Sequence, residues 1–277
     1  MLSDIFGSHR VIEPEGALPQ AAVRINPDPA ISPNEILIDV IALQPTSTAF
    51  DRIRQECGGD IEKIKQAILD LVEKQGKFQD PVTKSGGILI GRVKEIGTDY
   101  VSDENLEVND KIATLVSLSL TPLKLESILD VDLDTDQVRV KGTAVLFQSG
   151  ICARLPEDLP ENLAMAALDV AGAPAQVRIN AGPGDVVVVV GAGKAGLLCL
   201  QEAMNRVFPH GKVICLEYDE SQCQAVRELG LAHHVIRADA QRPLETLAAY
   251  QAVMGDGLAD FTVNCVNVPN TEVSSVI

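Results

Sequence analysis

The sequence predicts an α/β protein of two domains, a mostly antiparallel β domain over residues 1–156 and a doubly wound parallel sheet over residues 157–277. Three observations carry this. Before about residue 155 the chain is cut into short β-branched segments bounded by turn residues, as antiparallel strands are. Beyond it, apolar strands alternate with helical stretches, the rhythm of a parallel sheet wound with crossover helices. Third, "DVVVVVGAGKAG" (185–196) joins a five-valine strand to three glycines spaced GxGxxG at the head of a helix.

In chain order, "EILIDVIAL", "GGILIGRVKEIG", "DKIATLVSLSL" and "QVRVKGTAVLF" are expected as strands of a partly barrel-like unit. One helix interrupts them. Ile61, Ile64, Ile68, Leu71 and Val72 recur at helical spacing, with Asp60 placed to cap the start and Gly76 the end. The acidic "DVDLDTDQ" lacks the central glycine and closing glutamate of a calcium loop and reads as a solvated hairpin. "ENLAMAALDVAG" is a short apolar helix. Four strands then follow, "DVVVVVG", "KVICLEY", "HHVIRAD" and "DFTVNCV", each leading into a helix, the last beginning in "PNTEVSSVI". A doubly wound dinucleotide domain has six strands in the order 3-2-1-4-5-6. Strands five and six are therefore expected to belong to a longer chain.

Composition removes several classes of function. Hydrophobic content of 46% with 22% charged residues is that of a globular protein. A net charge of −16 would repel phosphate backbones, so neither nucleic acid nor an anionic membrane is an expected partner. No apolar run approaches the roughly 20 residues of a membrane span. "MLSDIFGSHRVIEPEG" has neither a basic n-region nor a long apolar h-region, so no signal peptide is expected. Cys57, Cys152, Cys199, Cys215, Cys223 and Cys265 form no CxxC and several lie in apolar stretches. They read as reduced small hydrophobes of a cytoplasmic protein.

The glycine turn carries the first chemical reading. Gly191 allows a tight turn, Gly193 lets backbone approach a pyrophosphate, and Gly196 lets helix pack close to strand. The free amides of Ala192, Gly193, Lys194, Ala195 and Gly196, at the positive end of the helix, would face the phosphates. An acidic residue is due about 20 residues further on, and Glu217 is there. Its carboxylate suits both ribose hydroxyls and repels a 2′-phosphate, so NAD is favoured and NADP is the less favoured alternative. Tyr218, Asp239, Cys265, Val266 and Asn267 complete the expected cofactor-binding set.

A strand-rich N-terminal domain ahead of this turn resembles the medium-chain dehydrogenase/reductase superfamily. The likeness lies in "GGILIGRVKEIG" followed by "LEVNDKIATL", and in "LDVAGAPAQ", which is similar to the nicotinamide-facing segment of zinc-free members. The resemblance implies a GroES-like catalytic domain followed by a Rossmann domain. Zinc relatives carry Gly-His-Glu where this chain has Gly86, Gly87 and Ile88, and a cysteine ligand near Pro45 and Thr46. No metal ligand remains at either place, so no catalytic zinc is expected. More closely, "GSHRVIEPEGALPQ", "NEILIDVI", "KIATLVSLSLTPL", "LDVAGAPAQV" and "NCVNVPNTE" resemble the L-erythro-3,5-diaminohexanoate dehydrogenase family of lysine fermentation. That implies NAD(P)-dependent oxidative deamination of the C3 amine, giving 5-amino-3-oxohexanoate and ammonia, by a cytoplasmic homodimer.

Such a substrate needs a base for the reacting amine, an anion for the distal ammonium and a cation for its carboxylate. Glu13 and Asp169 are the candidates for base or ammonium partner, and His9 and Arg10 for the carboxylate. Thr46 and Ser47 stand where zinc relatives place a ligand and a proton-relay hydroxyl. Against these, His9 and Arg10 equally suit an N-terminal tie-down, and Asp169 a helix cap. Lys194 reads as solvent-facing, and His210, His233 and His234 as structural. The rival readings are a zinc-free quinone or enone reductase and an NAD(P)-binding protein without turnover.

Overall fold

The computed structural model describes residues 4–101 and 105–276. Met1–Ser3, which open the stretch read for a leader, and Ile277 lie outside the described residues. The chain divides into two compact units, Met1–Asp169 and Val170–Ile277.

The first unit begins with a small antiparallel pair, β1 (Val11–Glu13) and β2 (Arg24–Ile25). The main sheet starts at β3 (Glu35–Pro45), followed by helices α1 (Ser47–Glu56) and α2 (Ile61–Gln75). It continues through β4 (Gly87–Ile96), β5 (Lys111–Thr114), β6 (Leu123–Asp132), β7 (Gln137–Phe147) and β8 (Cys152–Arg154), and α3 (Glu161–Leu168) closes the unit. The six strands are antiparallel in the order β6-β7-β3-β4-β5-β8. β3 is central and covered on both faces, which explains its near-continuous apolar run. Ile36, Ile38 and Leu43 join the main core with Phe50, Ile64 and Ile68, while Leu37 packs with Val145 and Phe147.

α2 is the helix its periodicity predicts. The Asp60 side chain accepts from Glu62 N and Lys63 N, and Gly76 ends it in the left-handed region at φ 70°. The acidic hairpin is also as expected: Asp132 Oδ1 accepts from Asp134 N at 2.9 Å and Thr135 N at 3.2 Å between β6 and β7.

Elsewhere the structure differs from the sequence reading. α1 is a second helix, missed because only Ala49, Phe50 and Ile53 of its ten residues are buried, too short a stripe to read as periodic. β6 was missed because two register shifts against β7 break strict alternation. The strand expected over "DKIATLVSLSL" stops at Thr114; the chain then turns, with Leu118 N donating to Gly87 O at 2.8 Å. The boundary expected after residue 156 lies past α3, because Ala164 and Met165 pack on Ala42, Ile90 and Ala113 of the sheet.

In the second unit α4 (Gly172–Asn180) precedes β9 (Val186–Val190), α5 (Lys194–Val207), β10 (Lys212–Glu217), α6 (Glu220–Leu229), β11 (His234–Arg237), α7 (Pro243–Met254) and β12 (Phe261–Asn264). The described strands are all parallel in the order β11-β10-β9-β12, the third-second-first-fourth arrangement of a dinucleotide fold. Val187 and Val189 face a core with Cys199, Leu200 and Ala203 of α5, while Val188 and Val190 face Ile214, Ile236 and Tyr250. Five consecutive valines serve both faces. "PNTEVSSVI" was expected to open an α-helix; its only helical turn among the described residues is a 3₁₀ turn, Val273–Ser275.

Candidate active site

The glycine turn between β9 and α5 is built as the sequence requires. Gly191 has φ +88°, and a Cβ there would lie 2.6 Å from Val266 Cγ2. At Gly196 a Cβ would lie 1.9 Å from Gly191 O, so strand and helix touch backbone to backbone. At Gly193 a Cβ would meet nothing within 4 Å. The turn is thus packed beneath and open at the glycine that a pyrophosphate would approach. The first-turn amides of α5 have no intrahelical acceptor, and among the described residues no side chain caps them. These residues fit a dinucleotide.

Glu217, at the end of β10, is tied into this turn. Its Oε2 accepts from Ala192 N at 2.6 Å and its Oε1 from Asp219 N at 2.7 Å. Beside it lies a hollow of about 370 Å³ that brings together Gly191, Glu217, Tyr218, Asp239 and Val266 of the expected set. Asp239 Oδ1 accepts from Gln241 N at 3.0 Å. Cys265 sits below the turn, its Sγ 3.8 Å from Cys199 Sγ, and Asn267 is exposed beyond it. Lys194 is exposed, as expected. Arg237 was missed. It stands opposite Glu217 in the parallel register and its Nε donates to Tyr218 O at 3.1 Å. The signal was the arginine in "HVIRAD", at the end of the third strand. His233 is structural: its Nδ1 accepts from Val213 N at 2.9 Å, and burial pushes its pKa down.

In the first unit the polar residues separate by role. Arg10 is buried and all five of its N–H groups are engaged. Nε and Nη2 donate to Glu35, Nη2 also to Ala30 O, and Nη1 to Asn26 O and Asp28 O. His9 Nε2 lies 2.9 Å from Glu35 Oε1. The geometry therefore uses Arg10 and His9 to tie down the N-terminal segment, and Arg10 has no donor left for a substrate carboxylate. Burial alone would raise the Glu35 carboxyl; Arg10, Ser32 N–H and His9 outweigh it and hold it below the ordinary range.

Glu13 is exposed at the end of β1, in a groove with Arg24, Lys74 and Lys84. Asp169 follows the last turn of α3, its N–H donating to Met165 O. The "VAGAPAQ" segment beyond it becomes the start of α4, which packs against α5.

Thr46 and Ser47 open α1, Ser47 as its exposed first residue. Thr46 occupies the N-cap position, yet its side chain caps nothing. Its Oγ1 lies 2.7 Å from Ser85 Oγ, which lies 2.6 Å from Thr83 Oγ1, and Thr83 Oγ1 donates to Asp80 Oδ1 at 3.1 Å. Asp80 is fully buried and also accepts from Arg52 Nε, Val82 N and Thr83 N. Desolvation raises its carboxyl, but the Thr83 amide and Arg52 outweigh it and hold it below the ordinary range. Sequence reasoning missed Ser85, Thr83 and Asp80, since "DPVTKS" resembles any polar turn.

A model of the L-erythro-3,5-diaminohexanoate dehydrogenase N-terminal domain matches residues 9–156. Over 273 residues, 98% of this chain and 79% of the relative, the sequence is 50% identical to an L-erythro-3,5-diaminohexanoate dehydrogenase of Acetoanaerobium sticklandii. The chain belongs to the L-erythro-3,5-diaminohexanoate dehydrogenase family. It is also 50% identical, over the same shares of both chains, to the enzyme of that name from Fusobacterium nucleatum. Its fold is that of medium-chain dehydrogenases. A mycobacterial quinone oxidoreductase superimposes with a TM-score of 0.55 at 16% identity, over 92% of this chain and 66% of that one.

For this member of the diaminohexanoate dehydrogenase family, one pairing in the sheet bears on metal chemistry. Pro45 of β3 stands opposite Gly87 of β4. The zinc-enzyme resemblance puts a cysteine ligand around Pro45 and Thr46 and a histidine at Gly87; proline, threonine and glycine supply neither a thiolate nor an imidazole. Among the described residues, no three His, Cys, Asp or Glu side chains converge as a metal site.

Proposed function

We propose that the chain oxidises the C3 amine of L-erythro-3,5-diaminohexanoate and hydrolyses the resulting imine to 5-amino-3-oxohexanoate and ammonia, with NAD as acceptor and without a catalytic metal. The observation that carries this is the 50% identity over 98% of the chain to dehydrogenases named for that substrate. When bound, the nicotinamide takes two electrons from the substrate carbon. The α5 amides and Glu217 hold the dinucleotide, the first its pyrophosphate and the second its adenosine ribose. In this reading Thr46 meets the reacting amine. Glu13 and Asp169 are the carboxylates proposed for its proton and for the distal ammonium, and Ser47 is the adjoining hydroxyl. The cysteines, none of them in a disulfide among the described residues, suit a reducing cytoplasm, and the same proposal has the enzyme work there, in lysine fermentation, as a homodimer.

The test is a spectrophotometric one. The purified protein, with NAD and L-erythro-3,5-diaminohexanoate, should form NADH and release ammonia in equal amounts. Binding of NADH without any turnover of the diamine would overturn the assignment.

A further inference from the structure

We propose that Asp80, Thr83 and Ser85 are positioning residues that fix the Thr46 hydroxyl as a hydrogen-bond acceptor for an N–H of the substrate amine. This rests on the reading above, in which Thr46 meets that amine.

Proton direction along this chain of hydroxyls sets the polarity of Thr46. A serine or threonine hydroxyl has one proton to donate, and an ionised carboxylate can only accept. Asp80 is ionised, held by Arg52 Nε and by the amides of Val82 and Thr83 at 2.9 and 2.6 Å. The Thr83 proton therefore points to Asp80, at 3.1 Å. With that proton committed, the 2.6 Å contact between Ser85 and Thr83 requires Ser85 to donate. The Ser85 proton is then engaged, so in the 2.7 Å contact Thr46 must donate to Ser85. Only lone pairs remain on Thr46. A ligand touching it has to bring a donor, which an amine or ammonium does and a carbonyl oxygen does not.

A second observation agrees. Threonine at an N-cap ordinarily turns its oxygen to the free amides of the first turn, and Thr46 does not. Its side chain is turned to Ser85 instead, and the residue remains partly exposed. Ser85 thus gives Thr46 its polarity without needing to touch the substrate.

The experiment uses the whole protein and compares Ser85→Ala, Ser85→Thr, Thr46→Ala and the double Ser85→Ala/Thr46→Ala variant. Ser85→Ala should lower kcat/KM for the diamine about tenfold, the effect of losing one well-placed hydrogen bond. NAD affinity and the melting temperature should not move, and Ser85→Thr, which restores the hydroxyl, should recover most of the loss. The double variant should be no worse than Thr46→Ala alone, because Ser85 acts through Thr46. An active wild type with Ser85→Ala equally active, or with additive losses in the double variant, would overturn the positioning chain alone. A wild type inert toward the diamine would overturn the functional reading and this inference with it.

Discussion

Glu217 Oε2 accepts the Ala192 amide proton at 2.6 Å, so the acidic residue expected to hold a ribose also fixes the turn expected to hold the phosphates. Two parts of the expected cofactor site are mechanically joined. Glu217→Ala should weaken NAD binding by about 10- to 100-fold, from a charged hydrogen bond of about 1.5–3 kcal/mol. Glu217→Gln, which keeps an acceptor oxygen but not the charge, should lose less NAD affinity and gain NADP affinity, with Arg237 opposite as the partner of the 2′-phosphate. Isothermal titration with both dinucleotides checks this; a wild type that prefers NADP would contradict it.

Two glycines of the same turn should fail in different ways. In Gly196→Ala the new methyl meets the Gly191 carbonyl oxygen at 1.9 Å, and both atoms lie on backbone. The expected outcome is about 1–3 kcal/mol of lost stability, as for overpacking elsewhere. Gly193→Ala meets no protein atom within 4 Å and should melt like the wild type while binding NADH poorly. Thermal melts set beside NADH fluorescence titrations separate the two.

Removing Arg10 would leave Glu35 charged and buried. Arg10→Met should cost about 3–5 kcal/mol, and the KM for the diamine in the folded fraction should be unaltered. The acid limb follows from the depressed Glu35 carboxyl. Its stabilisation is complete above the ordinary carboxylate range and is lost as pH falls through the folded-state value. Urea unfolding across the acid range should show that loss in the wild type, and a smaller one in Arg10→Met.

Lys77 gives the opposite limb. It is fully buried, donates to Pro19 O at 2.6 Å, and burial, with Lys84 nearby, holds it down to about 8 against 10.5 for an ordinary lysine. Between those values the unfolded chain carries a proton that the folded one lacks, so stability should rise with pH across that window. Lys77→Met should flatten this part of the profile in chemical denaturation. An unchanged slope would show that Lys77 keeps an ordinary affinity for its proton.

Turnover should not depend on metal. With Pro45 and Gly87 facing each other in the sheet, a strong chelator is expected to leave the rate of NADH formation unchanged. Stoichiometric zinc whose removal abolishes activity would refute this.

The parallel sheet was legible because its signals are local. Five valines, three glycines and an acid at a fixed distance each have one structural use, and β9, the turn and β10 realise them. α2 was legible for the same reason, with apolar spacing and both caps inside 17 residues, Asp60 to Gly76. The antiparallel unit was read only in part. The bulges of β6 and the short buried stripe of α1 take their meaning from partners far away in sequence. The candidate site shows the same division. Glu217 could be found by counting. Nothing near Arg10 announces that Glu35, 25 residues on, and three loop carbonyls will occupy all its donors. The Thr46–Ser85 contact spans 39 residues and exists only once β3 and β4 are paired.

The guanidinium of Arg10 has a last consequence, for the stretch "NPDPAISP" (26–33). Rich in proline and without regular structure, it has the look of an exposed linker that proteases would cut first. Yet the Asn26, Asp28 and Ala30 carbonyls are all clamped from within by one side chain, while the Asp28 and Ala30 amides bond to Asn26 Oδ1 and Asp28 Oδ1. A protease has to pull its substrate into extended form, and this segment cannot be lifted away without breaking several of those bonds together. Resistance of this stretch to nicking is thus expected to depend on a position sixteen residues upstream of its first clamped carbonyl.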